Sequence, residues 1–356
     1  MTRLQKFQAK LGEGSAALIS SPENQLYLST FPYADGYLLI FPKKAYLLAD
    51  FRYAEAARMG ADPAFEVICP DGTMLDAVND LLREQGAAEV WLEEKHVTVS
   101  LHAALTKKLS GVSLCAGVSA IAGELREFKD EDELAAIEAA QQITDAAFSH
   151  ILSYLKPGVR EIDVALELEY FMRRAGADIA FDTIAVSGSA SALPHGVPRD
   201  LKLEKGFLTM DFGARIRGYC ADMTRTVVIG KADGEMKRLY ETVLSAQCAA
   251  LNAAAAGISC RYLDSVARDI INGAGYEGCF GHSLGHGVGI EVHEAPRLSR
   301  AAAEDKVLSA GQVVTVEPGI YISGKHGCRI EDMITVLGDG TIRDLTKSTK
   351  ELIEIF

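Results

Sequence analysis

Four acidic residues of this chain sit where an acid is hardest to bury. Asp211 ends the apolar run GFLTMDFG (206–213), and Asp222 lies in YCADMTRT (219–226), at the start of the strand pattern that follows. Glu317 ends VVTVE (313–317), and Glu331 lies within CRIEDMITV (328–336). Carboxylates among apolar strand residues lose hydration and repel each other, unless a cation or a shared proton offsets the cost. The turn Gly213–Gly218 lets a hairpin set Asp211 and Asp222 side by side. Blander readings stand beside this one. Asp211 alone fits a strand-end acid bonded to turn amides. Glu331 fits an ion pair with Arg329, two residues away on the same strand face.

The second dense stretch is GHSLGHGVGIEVHE (281–294), with His282, His286, His293, Glu291 and Glu294 among four glycines. Glycine lets other groups approach the backbone closely, and imidazole is the commonest metal ligand and a proton carrier near neutral pH. Any one of these histidines fits a loop cap; the cluster does not. His195 lies apart, in the Pro- and Gly-rich loop Gly188–Pro198. Strand carboxylates with one histidine suit two divalent ions better than one, and favour Mn²⁺, with Zn²⁺, Co²⁺ or Fe²⁺ as alternatives. A structural zinc prefers Cys and His. Two ions about 3.5–4 Å apart activate a water and polarise a carbonyl, as amide hydrolysis requires.

Other chemistries lack their signatures. There is no G-x-x-x-x-G-K-[ST] loop and no H-E-x-x-H, and Ser187 and Ser189 carry no nucleophile-elbow pattern. A net charge of −13 argues against nucleic acid and anionic membranes as partners. The seven cysteines are scattered and include no C-x-x-C pair, which implies reduced thiols and a cytoplasmic protein. The start, MTRLQKFQAKLGEGSAAL, lacks the apolar core of a signal peptide.

In chain order, a leading α/β unit is expected: a first helix, strand 16–20, a segment at 25–29, and a hairpin 37–41/45–49 about Pro42-Lys43-Lys44. A helix at 51–59, strand 65–69, helix 74–85, strand 90–92, helix 101–109 and strand 112–115 follow. Composition shifts after Gly123, giving domains at 1–125 and 126–356. Apolar positions from Leu134 to Leu155 recur every three or four residues, a long amphipathic helix stopped by Pro157-Gly158. A helix at 160–175 precedes strands 181–186, 207–213 and 219–229. Helices 235–256 and 261–274 then precede strands 313–317 and 328–337. Two helices then strands, twice over, imply a pseudo-symmetric α+β domain with its site where the halves meet. His96, His102 and His150 read as structural or solvent histidines, and His326 is left open.

DFGA, GYCADMTRT, GHGVGIEVHE, VEPG and RIED together resemble the blocks of the M24 metallopeptidases of pita-bread fold, the family of Xaa-Pro aminopeptidase, prolidase and methionine aminopeptidase. SPENQLYL (21–28) and ADFRY (49–53) look like the creatinase/prolidase-type leader domain, which favours the proline-directed branch. The resemblance implies an α+β pita-bread catalytic domain behind a smaller α/β domain. It implies two divalent ions on Asp211, Asp222, His286, Glu317 and Glu331, with Asp222 and Glu331 bridging. Glu317 takes a proton from the attacking water, His195 and His293 contact the substrate and its oxyanion, His282 lies near the scissile proline, and Arg329 positions a carboxylate or anchors neighbours. Glu291 and Glu294 then drop out as ligands. The implied activity is hydrolysis of the bond before a proline in the second position of small peptides, in a homodimer. Methionine aminopeptidase-like activity, a non-peptide C–N hydrolase or lyase, and a silent binding protein are the alternatives.

Overall fold

The computed structural model describes residues 1–32 and 35–356. The chain divides into two compact units, Met1–Arg126 and Glu127–Phe356.

The first unit contains α1 (Arg3–Gln8), β1 (Ser15–Ile19), α2 (Pro22–Ser29), β2 (Gly36–Ile40), β3 (Ala45–Ala49), α3 (Ala54–Gly60) and β4 (Glu66–Ile68). It continues through α4 (Met74–Glu84), β5 (Glu89–Leu92), α5 (Val99–Lys108), β6 (Ser113–Ala116) and α6 (Val118–Arg126). Its strands form one mixed sheet in the order β4-β3-β2-β1-β5-β6. The segment at 25–29 belongs to a helix, because Ser21 accepts from the Asn24 N–H and Pro22 pre-sets the first helical φ. The helix α6 lies beyond the last element expected for this unit, strand 112–115.

The second unit begins with α7 (Glu131–Tyr154) and α8 (Glu161–Arg174). Then come β7 (Asp178–Ile179), β8 (Ile184–Ser187), β9 (Gly206–Phe212), β10 (Ala214–Ile216), β11 (Tyr219–Cys220) and β12 (Met223–Ile229). Its second half has α9 (Gly234–Ala253), α10 (Cys260–Gly273), β13 (Gly285–Gly287), β14 (Glu294–Leu298), β15 (Val313–Val316), β16 (Gly319–Ile322), β17 (His326–Arg329), β18 (Asp332–Val336), β19 (Ile342–Asp344) and β20 (Glu354–Ile355). Asp130 caps α7 through a reciprocal box with Glu133, and three acids fill the first turn, where the helix dipole favours them. Ile137, Ala140, Ala147, Phe148 and Ile151 make its buried stripe. Each large member contributes about 1.5–3 kcal/mol by leaving water.

Two principal sheets result, β20-β12-β9-β8 and β14-β13-β15-β18-β19. They meet where the Glu331 N–H donates to the Thr224 carbonyl (3.2 Å) and the Thr226 hydroxyl donates to the Arg329 carbonyl (2.9 Å). Two segments expected as single strands are broken. The run 219–229 is interrupted at Ala221–Asp222, and 328–337 at Ile330–Glu331. Both breaks fall on acids whose side chains turn to the seam. Arg329 and Glu331 therefore lie in separate segments rather than on one strand face.

Candidate active site

A cavity of about 450 Å³ opens at the seam of the second unit. Its lining includes all nine residues singled out from the sequence: His195, Asp211, Asp222, His282, His286, His293, Glu317, Arg329 and Glu331. Strand register brings the acids together. Asp211 pairs across β9/β12 with Thr224, two residues from Asp222. The β15/β18 register runs from Val313 opposite Thr335 to Val316 opposite Asp332, which makes Glu317 and Glu331 the next facing pair.

His286 is placed by its glycines. A Cβ on Gly285 would meet the Thr315 carbonyl oxygen at 2.0 Å, and one on Gly287 the Ala295 carbonyl oxygen at 2.0 Å. Only glycine lets β13 lie this close to its neighbours. The His286 Nδ1–H donates to the Gly287 carbonyl (3.1 Å), which turns Nε2 toward the acids. Nε2 faces Glu317 Oε1 at 3.3 Å and Asp222 Oδ2 at 3.6 Å. A neutral imidazole would set its lone pair against carboxylate oxygens there, so a proton or a cation belongs between them. Ligand atoms of Asp222, His286 and Glu331 all lie within 4.8 Å of one another, and the three residues are buried.

The donors close at hand are too few for the acids. Arg329 Nη2 donates to Asp211 Oδ2 (2.6 Å), while Asp211 Oδ1 is buried without a hydrogen-bond partner among the described residues. Asp211 is thus held by a guanidinium rather than by turn amides. The Thr224 hydroxyl receives Arg329 Nε (2.8 Å) and donates to Glu331 Oε2 (2.6 Å). Burial and then the neighbouring carboxylates push Asp222 and Glu331 well above the usual range. Asp211 is also raised, by burial, with Arg329 opposing. Burial raises Glu317 too, but the His286 hydrogen bond and charge outweigh it and hold this carboxyl low. Three buried acids and the partly buried Glu317 thus converge on the Arg329 guanidinium and the His286 imidazole. The all-oxygen-and-nitrogen donor set and the orphaned Asp211 oxygen fit divalent cations.

His195 and His293 are exposed in the cavity, and the His293 ring meets the His286 ring edge-on at 4.3 Å between centroids. Burial and then His286 lower the pKa of His293. His282 is different, since both its nitrogens are engaged. Nδ1–H donates to the Ser283 carbonyl (2.8 Å), and Nε2 accepts from the Tyr321 hydroxyl (2.9 Å). Arg329 Nη1 donates to that hydroxyl (2.9 Å) and to the Pro194 carbonyl (3.2 Å), so the guanidinium anchors protein groups on every side. Burial pushes the Tyr321 phenol up to about 12 and keeps it neutral. Tyr321 and Thr224 were passed over in the sequence, where a Tyr or Thr in a strand carries no signal.

Glu294 is a clamp: it accepts from the Glu291 N–H (3.0 Å) and pairs with buried Lys129 (3.2 Å). His96 and His102 are exposed, and His150 stacks on Phe171 and pairs with Glu167 at 2.6 Å. His326 packs edge-on to Phe207, with Nε2 unpaired among the described residues.

Comparison with known proteins decides the family. Residues 135–337 match the sequence model of Metallopeptidase family M24, and residues 3–128 match the Creatinase/Prolidase N-terminal domain. The chain belongs to the M24 metallopeptidases. Its fold is the family's pita-bread domain preceded by the smaller creatinase-type domain. An Xaa-Pro dipeptidase of Pyrococcus horikoshii is 39% identical over 95% of this chain and 94% of its own length. The structure of an Xaa-Pro dipeptidase from Bacillus anthracis matches with a TM-score of 0.94 at 40% identity, covering 99% of each chain. That of an X-Pro aminopeptidase from Thermotoga maritima matches at 0.91 and 36%, covering 98% of this chain and 99% of the other. Among the described residues no helix is long and apolar enough to cross a membrane.

Proposed function

We propose that this M24 metallopeptidase cleaves the peptide bond between an N-terminal residue and a following proline. The cluster of four acids around His286, three of them buried, carries the reading, and the relatives that act on Xaa-Pro peptides support it. Asp211, Asp222, His286, Glu317 and Glu331 would hold two divalent ions, with Asp222 and Glu331 shared between them. The carboxylate-rich set favours Mn²⁺. Bound there, the ions supply Lewis acidity for the carbonyl and for the attacking water.

The chain's own side chains do the rest. Glu317 Oε1 faces His286, which leaves Oε2 to take the proton of the attacking water and pass it to the leaving nitrogen. His195 and His293 donate hydrogen bonds to the carbonyl oxygen as it becomes anionic, a role worth about 2.7–4 kcal/mol for a preorganised donor. The bond before proline has no N–H, so recognition falls to shape. Phe181, Ile184 and Val292 give the cavity an apolar wall that suits a pyrrolidine ring. His282, with both nitrogens bonded, serves as a rigid wall beside it. Seven free cysteines fit a reducing cytoplasm. The working form is a homodimer.

A peptide panel tests the reading. Metal-stripped protein is resupplied with Mn²⁺, Co²⁺ or Zn²⁺ and offered an Xaa-Pro dipeptide, an Xaa-Pro tripeptide and a Met-Ala peptide. Cleavage of the proline substrates is expected, and the dipeptide-to-tripeptide ratio separates dipeptidase from aminopeptidase. Turnover of Met-Ala alone would move the protein to methionine aminopeptidase chemistry. No turnover of any Xaa-Pro peptide would reject the proposal.

A further inference from the structure

His195 rides on an irregular segment. Between the end of β8 and Arg199 the chain makes one 3-10 turn, Gly188–Ala192, and then no regular structure. Its imidazole is exposed, so the backbone must place it. The tip of the segment is held by Arg329 Nη1 on the Pro194 carbonyl, and by the Gly327 N–H on the Ser191 hydroxyl (2.9 Å). The base is held by a group outside the described chemistry. Glu161, the first residue of α8, is fully buried. Its Oε1 accepts from the Ser187 N–H (2.7 Å), the Ser187 hydroxyl (2.8 Å) and Arg199 Nη2 (2.5 Å). Its Oε2 accepts from the Arg199 N–H (3.0 Å) and Nε (2.8 Å). Ser187 and Arg199 are the two ends of the segment. One carboxylate gathers both, with its acceptor sites filled.

We propose that Glu161 is a positioning residue for His195, a clasp that closes the Ser187–Arg199 segment at its base and so fixes where the imidazole meets the substrate. Burial raises the Glu161 carboxyl, but the donors of Arg199 and Ser187 outweigh it, so the clasp stays ionised. A glutamine there presents an NH₂ donor to groups that are themselves donors, and the closure opens. Small displacements of a substrate-contacting group have large kinetic effects, up to about a hundredfold for about 1 Å.

The inference rests on the reading of His195 as a substrate contact, and a double-mutant cycle tests it. Glu161→Gln is expected to lower kcat/KM on an Xaa-Pro dipeptide by about tenfold or more when His195 is present. In a His195→Ala background it should change kcat/KM by less than about twofold, with bound metal unchanged in both. Equal losses in the two backgrounds would overturn the proposal. Should Glu161→Gln fail to fold, Arg199→Lys goes through the same cycle, since it keeps the acid and its Ser187 bonds but removes the fork. Failure of both to fold would also overturn it, by showing that the pair serves domain stability instead. If the wild-type protein cleaves no Xaa-Pro peptide, the functional reading fails by itself. Amide exchange then decides the clasp: residues 188–198 should exchange about tenfold faster in Glu161→Gln while α8 is unchanged. Unaltered exchange in that segment would reject it.

Discussion

At the scale of single residues, the site is a charge problem that the protein alone does not solve. Asp222 and Glu331 have raised pKa values in the folded state because burial and the other acids oppose their ionisation. Their contribution to stability is present below the unfolded pKa, about 4, and is lost as pH rises. Divalent metal should therefore raise Tm more at pH 8 than at pH 5. Asp222→Asn should raise the Tm of metal-free protein by a few degrees and abolish the increment from metal, as calorimetry would show. An unchanged metal count in that variant would reject the bridging role. Asp344, which does not line the cavity, follows the same rule. Burial, and then the charge of Asp332, push it up to about 6 against the pull of Lys350. The folded state takes up a proton there, so stability is lost as pH rises from about 4 to about 6. The Tm of Asp344→Asn relative to wild type should climb across that window and stay level above it.

At the scale of elements, an ion pair with at least one buried partner stands behind several of the segments that face the cavity. Glu161–Arg199 closes the His195 loop, and Lys129–Glu294 holds the turn that carries His293. In α10, Asp264 and Arg268 pair at 2.7 Å; Asp264 takes the Leu284 N–H, and Arg268 donates to the carbonyls of Phe280 and His282. Buried Arg225 binds Asp332 and the carbonyls of Thr224 and Glu331. Arg268→Ala leaves Asp264 buried and unpaired, and should cost about 3–5 kcal/mol in urea unfolding. A loss below about 1 kcal/mol would show that water replaces the guanidinium. The sequence displayed part of this. Asp264 and Arg268 share the i, i+4 spacing on the face of Leu263, Ala267 and Ile271, and that was open to reading. Glu161 finds Arg199 only after the chain has folded back, a partnership that no local pattern encodes. The strand acids and the glycine-flanked His286 were legible because each violates a local rule. The breaks at Asp222 and Glu331 were not, since apolar periodicity runs through them.

At the scale of the molecule, each unit has its own core. One cluster includes Leu18, Leu39, Val78 and Leu92, and another includes Leu239, Leu263, Val314 and Ile334. The single tryptophan, Trp91, lies in β5 of the first unit. Chemical unfolding should therefore not follow a single two-state transition. Tryptophan emission should report the first unit, and added metal should shift the far-ultraviolet circular dichroism transition by more than the emission transition. Coincident transitions that shift together would show that the chain unfolds as one cooperative body. The helix-pair-then-strands repeat of the second unit was readable from element order; Asp130, Asp233 and Ser259 cap three of its four helices, and Pro157-Gly158 stops the first.

The most direct test is the rate of Xaa-Pro dipeptide hydrolysis by metal-stripped protein as Mn²⁺ is added in known equivalents. The rate should be nil without metal, climb to a plateau near two equivalents per chain, and stay flat for Asp222→Asn. Hydrolysis without metal, or none at any Mn²⁺ level with Co²⁺ and Zn²⁺ equally silent, would contradict a metal-dependent Xaa-Pro peptidase.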